Sequence, residues 1–392
     1  MYLSPLLWEG QGEAPFMKRK PKYDTPIRII CAVLFAIFSF LYIYMLQGEL
    51  LALVQDHLAQ GQTSNNTFVT ALLVTLLLIA LQFLLNRVGQ LHGKFEALSY
   101  LPSCVLLALI TKVDNTYTYS WRQWVVALVF VAVIYLLCVW LCKNTFESRD
   151  TKFLRQLTPN LGVLTLLFLF TGWYGNNVPA EQMELAAWKH THAERYDKVL
   201  EVGKRSDDCN VELTALRNLA LAKTSQLGTK LFAYPQPYGS AGLMMNRYNV
   251  QTPSYGAKEF YKALGTTPYG GESATAFYHR MMVKTDSAIY RDMYLSALLL
   301  DRNLEGFVAQ TTKDQAVESI GSAPVHYQEA WLIYNEQHPF TPIAFVPDVA
   351  VAQRYHDYLA LREEHASEPI VLQNLSKRQF GDTYWYYYDF VK

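Results

Sequence analysis

The sequence predicts an all-α membrane protein, a polytopic bundle of about five spanning helices followed by a degenerate helical-repeat domain. Three observations predict it. Long uncharged apolar runs crowd the first 175 residues. Strand-like alternation is sparse along the whole chain. Beyond Asn176, apolar residues recur every three or four positions, the spacing of one helix face. Composition excludes other classes: 51% of residues are hydrophobic and 17% charged, against roughly 25% charged in soluble domains. A wholly soluble protein, a disordered chain and a disulfide-stapled module do not fit that balance. Lys+Arg 34 equals Asp+Glu 34, so the charge predicts no nucleic-acid partner.

Crossing the hydrocarbon core takes about 20 residues of helix, because no water is there to pair backbone amides. Five runs approach that length, at residues 27–46, 68–85, 97–113, 121–142 and 157–174. The fourth is the clearest, with Trp121, Trp124 and Trp140 near its ends as interfacial anchors. The third is the weakest, since Pro102 interrupts it and Lys112 closes it early.

Basic residues set the orientation. Lys18, Arg19, Lys20, Lys22 and Arg28 flank the first run, whereas residues 48–67 contain no Lys or Arg. Arg87 and Lys94 follow the second run, and Lys143, Arg149, Lys152 and Arg155 precede the fifth. This alternation predicts a cytoplasmic N-terminus and, with an odd number of crossings, an extracytoplasmic domain at 176–392. A third run that failed to cross would reverse the outcome. Residues 1–26 read as a disordered, basic leader, and Met17-Lys18-Arg19-Lys20 as a natural translation start.

The interiors of the five runs carry no ionisable side chain; Arg28, Lys112 and Arg122 sit at the edges. That argues against an ion or proton carrier. Gln82 and Asn86 read as hydrogen bonds between helices. Cys138 and Cys142, one helical turn apart, read as small packing residues, because two thiols do not complete a metal site.

Nine of the acids and thirteen of the bases precede Asn176, which leaves 25 Asp+Glu and 21 Lys+Arg in the C-terminal half. Cys209 is its one cysteine, so no disulfide forms within it. Periodicity predicts helices at 179–205, 211–227, 287–300, 304–313, 325–337, 348–365 and 383–391, with Gly228 as a C-terminal stop. Arg195-Tyr196-Asp197-Lys198-Val199-Leu200 recurs in character at Gly228-Thr229-Lys230-Leu231-Phe232, about 33 positions later. The series Leu219 to Ala222, Leu227, Gly228 and Phe232 likewise matches Leu295, Ala297, Leu304 and Phe307. This resembles tetratricopeptide repeats, whose period is near 34. Pro235 and Pro237 break the second copy, so the stack is degenerate.

The chain as a whole resembles an uncharacterised family of bacterial multi-span membrane proteins with a tetratricopeptide-like C-terminal half. The resemblance rests on Tyr42-Ile43-Tyr44 with Gln55-Asp56-His57, on Asn218-Leu219-Ala220-Leu221-Ala222 with Leu227-Gly228, and on Tyr327-Gln328-Glu329-Ala330. It implies a location in the cell envelope and supplies no activity and no catalytic residues; with the apolar runs, the expected location is the bacterial cytoplasmic membrane.

A long loop at 234–255 holds prolines, glycines, aromatics and methionines. Tyr234, Tyr238, Met244, Met245, Tyr248 and Tyr255, with Trp385 of the aromatic tail, form the predicted binding surface for a peptide or glycan. The simpler alternatives are that the loop packs over the stack and that the tail caps it or rests on the bilayer. His190, His192 and Glu194 invite a metal, but positions two apart on a helix face different ways. Tyr355-His356-Asp357-Tyr358 invites a general base, yet no nucleophile or phosphate-binding motif accompanies it. The sequence therefore predicts no catalytic, cofactor or metal site. It predicts a scaffold that binds protein or peptide, with the bilayer as second partner. The alternative is a membrane enzyme acting on a lipid or lipid-linked glycan through Glu49, Asp56 and His57 of the first outer loop.

Overall fold

A computed structural model describes residues 23–48, 50–52, 55, 66–111, 121–145, 152–175, 179–245, 256–313, 323–340 and 342–391. Met17 and the leader to residue 22 lie outside the described residues. The first helix starts at Asp24, three residues before the boundary expected at 26/27. Every regular element among the described residues is helical. Contacts divide the chain into two units, one drawn from 1–42, 71–112 and 120–175, the other from 43–70, 113–119 and 176–392.

In the N-terminal half, α1 (Asp24–Leu41) passes into a wider π-helical turn, Tyr42–Leu46. α2 spans Thr67–Gly89, and a 3-10 stretch, Gly93–Tyr100, continues directly as α3 (Leu101–Thr111). α4 (Trp121–Thr145) and α5 (Phe153–Tyr174) follow. Among the described residues, four segments are long and apolar enough to cross a membrane: Asp24–Leu46, Thr67–Gly89, Gly93–Thr111 and Phe153–Tyr174. Within α4, the described apolar stretch is the shorter Leu128–Leu141.

The third segment, weakest in the sequence, is continuous. Its mean hydropathy is 1.4 against 2.6 for the first two, and 56% of it is buried inside the protein against 28% and 22%. Neighbouring helices cover it, so it needs less apolar surface than a helix facing outward. Pro102 sits in the first turn of α3, where a missing amide costs least. Leu73, Leu76 and Leu77 of α2 and Val126, Val129 and Val133 of α4 are exposed, as lipid-facing residues would be.

The C-terminal helices are α6 (Pro179–His192), α7 (Tyr196–Glu201), α8 (Val211–Lys223), α9 (Leu227–Lys230), α10 (Ala257–Leu264) and α11 (Ala274–Thr285). They continue with α12 (Ala288–Leu300), α13 (Leu304–Lys313), α14 (Val325–Gln337), α15 (Val349–Glu364), α16 (Pro369–Phe380) and α17 (Tyr384–Phe390). They enclose one apolar core that runs from Ala187 to Tyr387 and includes Leu216, Tyr278, Phe307 and Trp331.

Three predicted boundaries need correction. The helix expected over 179–205 breaks after His192, because Glu194 adopts a left-handed conformation with φ 55°. The helix expected to reach Leu227 ends at Lys223, where Ser225 does the same. Gly228 is therefore no stop; it lies inside α9, where its missing side chain admits Pro324. Helices α10, α11 and α16 were not anticipated by the periodicity.

Two features recur along the C-terminal helices. Glu194, Ser225 and Arg302 share φ 55° and close the same turn. In each, the next amide reaches five residues back: Arg195 to His190, Gln226 to Leu221 and Asn303 to Leu298, at 2.9, 2.8 and 2.9 Å. This turn satisfies carbonyls left open at a helix C-terminus and redirects the chain into the next helix. Buried tyrosines form the second feature. Tyr234 donates to the Leu200 carbonyl, Tyr278 to that of Leu243 and Tyr327 to Asp292 Oδ1, spanning 34, 35 and 35 positions.

Candidate functional site

A groove of about 500 Å³ opens in the C-terminal unit between the segment after α9 and the last two helices. Phe232, Tyr234, Tyr386 and Tyr387 supply its aromatic lining, and Pro235 and Pro237 one rim. Lys377, Arg378 and Asp382 form the opposite rim, with Asp207 at the end.

Each wall is fixed by local chemistry. On one side, Gln236 is buried and pairs amide-to-amide with Asn218 of α8; its Nε2 also donates to the Leu231 carbonyl at 3.0 Å. Asn218 Nδ2 donates in turn to the Gly242 carbonyl at 2.9 Å. The proline-rich segment is thereby tied down although Pro235 and Pro237 have no amide to donate. On the other side, Thr383 caps α17 by accepting from the Tyr386 amide. Glu329, fully buried on α14, accepts from the Tyr384 amide at 2.8 Å and lies 2.8 Å from His326 Nδ1. Phe232 packs between His326 and the rings of Tyr384 and Tyr387, with centroids 4.8, 5.3 and 5.0 Å away.

The rim charges are unevenly matched. Asp207 is bound by Lys377 at 2.7 Å, and that bond raises the lysine's pKa. Asp382 is bound by Arg354. Arg378 is exposed and has no ion-pair partner among the described residues. An aromatic trough with proline on one rim and one uncompensated guanidinium on the other suits a chain bearing a carboxylate.

The predicted binding residues distribute as follows. Tyr234 lines the groove, and the tail residues Tyr386 and Tyr387 line it from the opposite side, so the structure unites part of the loop with part of the tail. Tyr238 is 38% exposed. Met244, Met245 and Trp385 are buried in the core, where they pack rather than meet solvent. Trp385 lies 5.1 Å from the Tyr355 ring and 5.9 Å from that of Tyr358. Tyr248, Tyr255, Glu49, Asp56 and His57 lie outside the described residues.

Tyr355 and Tyr358 belong to an ionic chain in which Tyr355 donates to Glu336 and Tyr358 to Asp389, each at 2.5 Å. Arg362 bridges both carboxylates, at 2.8 and 3.7 Å. His356 and Asp357 stand on the exposed face of α15. No group of three or more His, Cys, Asp or Glu suited to a metal occurs among the described residues.

The N-terminal unit holds a polar cluster that the sequence analysis missed. Glu96 is 1% exposed and accepts from Arg28 at 2.8 and 3.2 Å and from Asn86 at 2.8 Å. Gln82 donates to Ser99 at 2.8 Å, so both amides form the expected bonds between helices. Asn160 of α5 accepts from the Ala97 amide at 2.7 Å and donates to the Gly93 carbonyl at 2.6 Å. Glu96 lies one residue before the third apolar run, and so escaped notice as a residue of the span. The available signal was opposite charge at the same predicted side: Arg28 opens the first run and Glu96 the third.

The model of a family of unknown function, DUF6057, matches residues 27–283 and 281–391. The chain belongs to that family. The DUF6057 match takes in both the apolar helices and the groove-bearing helices, and the family description assigns neither an activity. No curated protein and no solved structure matches the chain.

Proposed function

We propose that this DUF6057 member is a five-span protein of a bacterial cytoplasmic membrane that displays a degenerate tetratricopeptide-like stack outside the cytoplasm. The stack binds an extended, acidic peptide segment of a partner protein. One observation carries the binding role: the groove joins an aromatic and proline lining to the unmatched Arg378. The recurrent left-handed turns and the tyrosine bonds spanning 34 and 35 residues support the repeat reading. Repeat stacks offer concave surfaces to extended segments. The four long apolar segments, α4 as a fifth crossing, and the loop at 48–67 without Lys or Arg support the membrane placement.

Panning a displayed peptide library against the full chain in detergent tests the binding role. Acidic segments with an aromatic or apolar neighbour are the expected winners. Arg378→Glu weakens them about tenfold or more, the value of one charge-assisted bond. Enrichment that ignores Arg378→Glu, or no enrichment, removes the reading. Orientation is checked with Asp357→Cys on exposed α15. A membrane-impermeant maleimide labels it in intact cells if the unit faces outward, and only after lysis if it does not.

A further inference from the structure

A second groove, of about 550 Å³, lies where the π-helical turn and the first residue of α2 meet α6 within the same unit. Its walls are Met45 and Leu46 of the π-helical turn, Thr67 at the start of α2, Met183 and Ala186 of α6, and Val202 after α7. Among the described residues, no side chain charged at neutral pH lines it, in contrast to the first groove. Gln182, on the rim, donates to Gln47 at 3.4 Å. A side chain at Gly48 would collide with Thr67, so this glycine lets the two segments close up beside the cavity. The π-helical turn is itself a local insertion of the kind that gathers at functional sites.

Position supplies the occupant. Leu46 ends one segment long and apolar enough to cross a membrane, and Thr67 begins another. The groove therefore opens at the depth where those helices leave the hydrocarbon. Met45 and Leu46 are 72% and 53% exposed there, and the molecules at that depth are lipids. We infer that this groove takes one hydrocarbon chain of a membrane phospholipid. Its volume falls within the roughly 300–1,000 Å³ of ligand clefts. The two methionines give it flexible, polarizable walls that adapt to a bending chain. The inference rests on the membrane reading above and is independent of the peptide groove.

The test reconstitutes the full chain in bilayer nanodiscs containing a phosphatidylcholine with a photoactivatable diazirine on one acyl chain. Adducts are mapped by peptide mass spectrometry. The expected result is labelling within 179–202 as well as on the exposed face of α2 around Leu73 and Leu76. Met183→Trp and Ala186→Phe, each filling the groove, abolish the first and retain the second, which also certifies that the variants are folded and inserted. Labelling of α2 without 179–202, or labelling of 179–202 that survives both substitutions, overturns the groove. Loss of labelling on α2 in the unaltered chain overturns the membrane reading instead.

Discussion

The side-chain amides of Asn218 and Gln236 face each other head to tail: Asn218 Nδ2 donates to Gln236 Oε1 at 3.2 Å, and Gln236 Nε2 to Asn218 Oδ1 at 3.0 Å. Both residues are buried, so neither has water as an alternative partner. Replacing Asn218 with Leu strands the Gln236 Oε1, leaves its Nε2 with the Leu231 carbonyl alone, and takes a donor from the Gly242 carbonyl. Each buried group left unpaired costs about 1–3 kcal/mol. Asn218→Leu is expected to lower the thermal midpoint of the full chain in detergent and to weaken peptide binding together with it. An unchanged midpoint would mean that the pair does not hold the groove wall.

Gly228 marks a close approach of α9 to the start of α14. A Cβ there would sit 2.5 and 2.9 Å from the Cβ and Cγ of Pro324 and 3.4 Å from the Tyr327 ring. The proline ring does not rotate away, so the helices must separate. Gly228→Ala is expected to destabilise by about 1–3 kcal/mol, the usual cost of overpacking. Pro324→Gly in the same chain, which removes both the Cβ and the Cγ that would be struck, should recover part of the loss. Denaturant unfolding of the two single variants and the double variant measures this, and simple additivity would place the strain elsewhere.

Much of this architecture is legible in the sequence, and the failures have definite causes. The helices at 304–313 and 325–337 are predicted to the residue, because apolar periodicity and flanking polar residues coincide there. The breaks at Glu194 and Ser225 escape because neither is a glycine or proline; tertiary packing and the hydrogen bonds of the turn impose the left-handed backbone. The short amphipathic α10 and α11 are hidden within a proline- and glycine-rich stretch, although Ser273 offers a readable cap that accepts from the Ala276 amide. At the groove, Tyr234 is legible as a loop aromatic, whereas Lys377 and Arg378 read as an ordinary solvated helix end. Nothing local in the sequence announces that α16 lines the same groove as Phe232 and pairs Lys377 with Asp207. Met244, Met245 and Trp385 illustrate the reverse case, since aromatic and methionine content describes a packed core as readily as a binding face.

Alkaline pH should loosen the C-terminal unit. Burial raises the phenol pKa of Tyr355 and Tyr358, and hydrogen bonds to the carboxylates Glu336 and Asp389 raise it further. Burial also pushes Tyr387 up to about 12. The folded state thus favours the protonated phenol. Its contribution is fully present below the ordinary tyrosine value of about 10 and is lost as pH rises from there through the folded values. Each fully shifted tyrosine contributes at most about 1.4 kcal/mol per pH unit in that window. Helicity and tyrosinate absorbance, followed together above pH 10, are expected to change in step. Tyr355→Phe with Tyr358→Phe should flatten the pH dependence, and an unaltered slope would exclude these two phenols as its source.

The contact between Arg28 and Glu96 gives the sharpest test of the N-terminal unit. Glu96 is enclosed, while the Arg28 side chain is 42% exposed. The two partners therefore respond differently to loss of the other. Arg28→Met leaves a carboxylate buried with only Asn86 to donate to it, and is expected near the lower end of the 3–5 kcal/mol typical of a broken buried pair, about 3 kcal/mol. Glu96→Gln keeps an acceptor for Asn86 and frees a guanidinium that already reaches the surface, so it should cost less. With both changes present, neither member of the pair is a buried charge, and the double variant should be more stable than Arg28→Met alone. Thermal inactivation of the four proteins in one detergent gives the coupling energy, expected at about 1–3 kcal/mol for residues in direct contact. A value near zero would show that Glu96 is held by Asn86 and its helix, with Arg28 a bystander at the membrane edge.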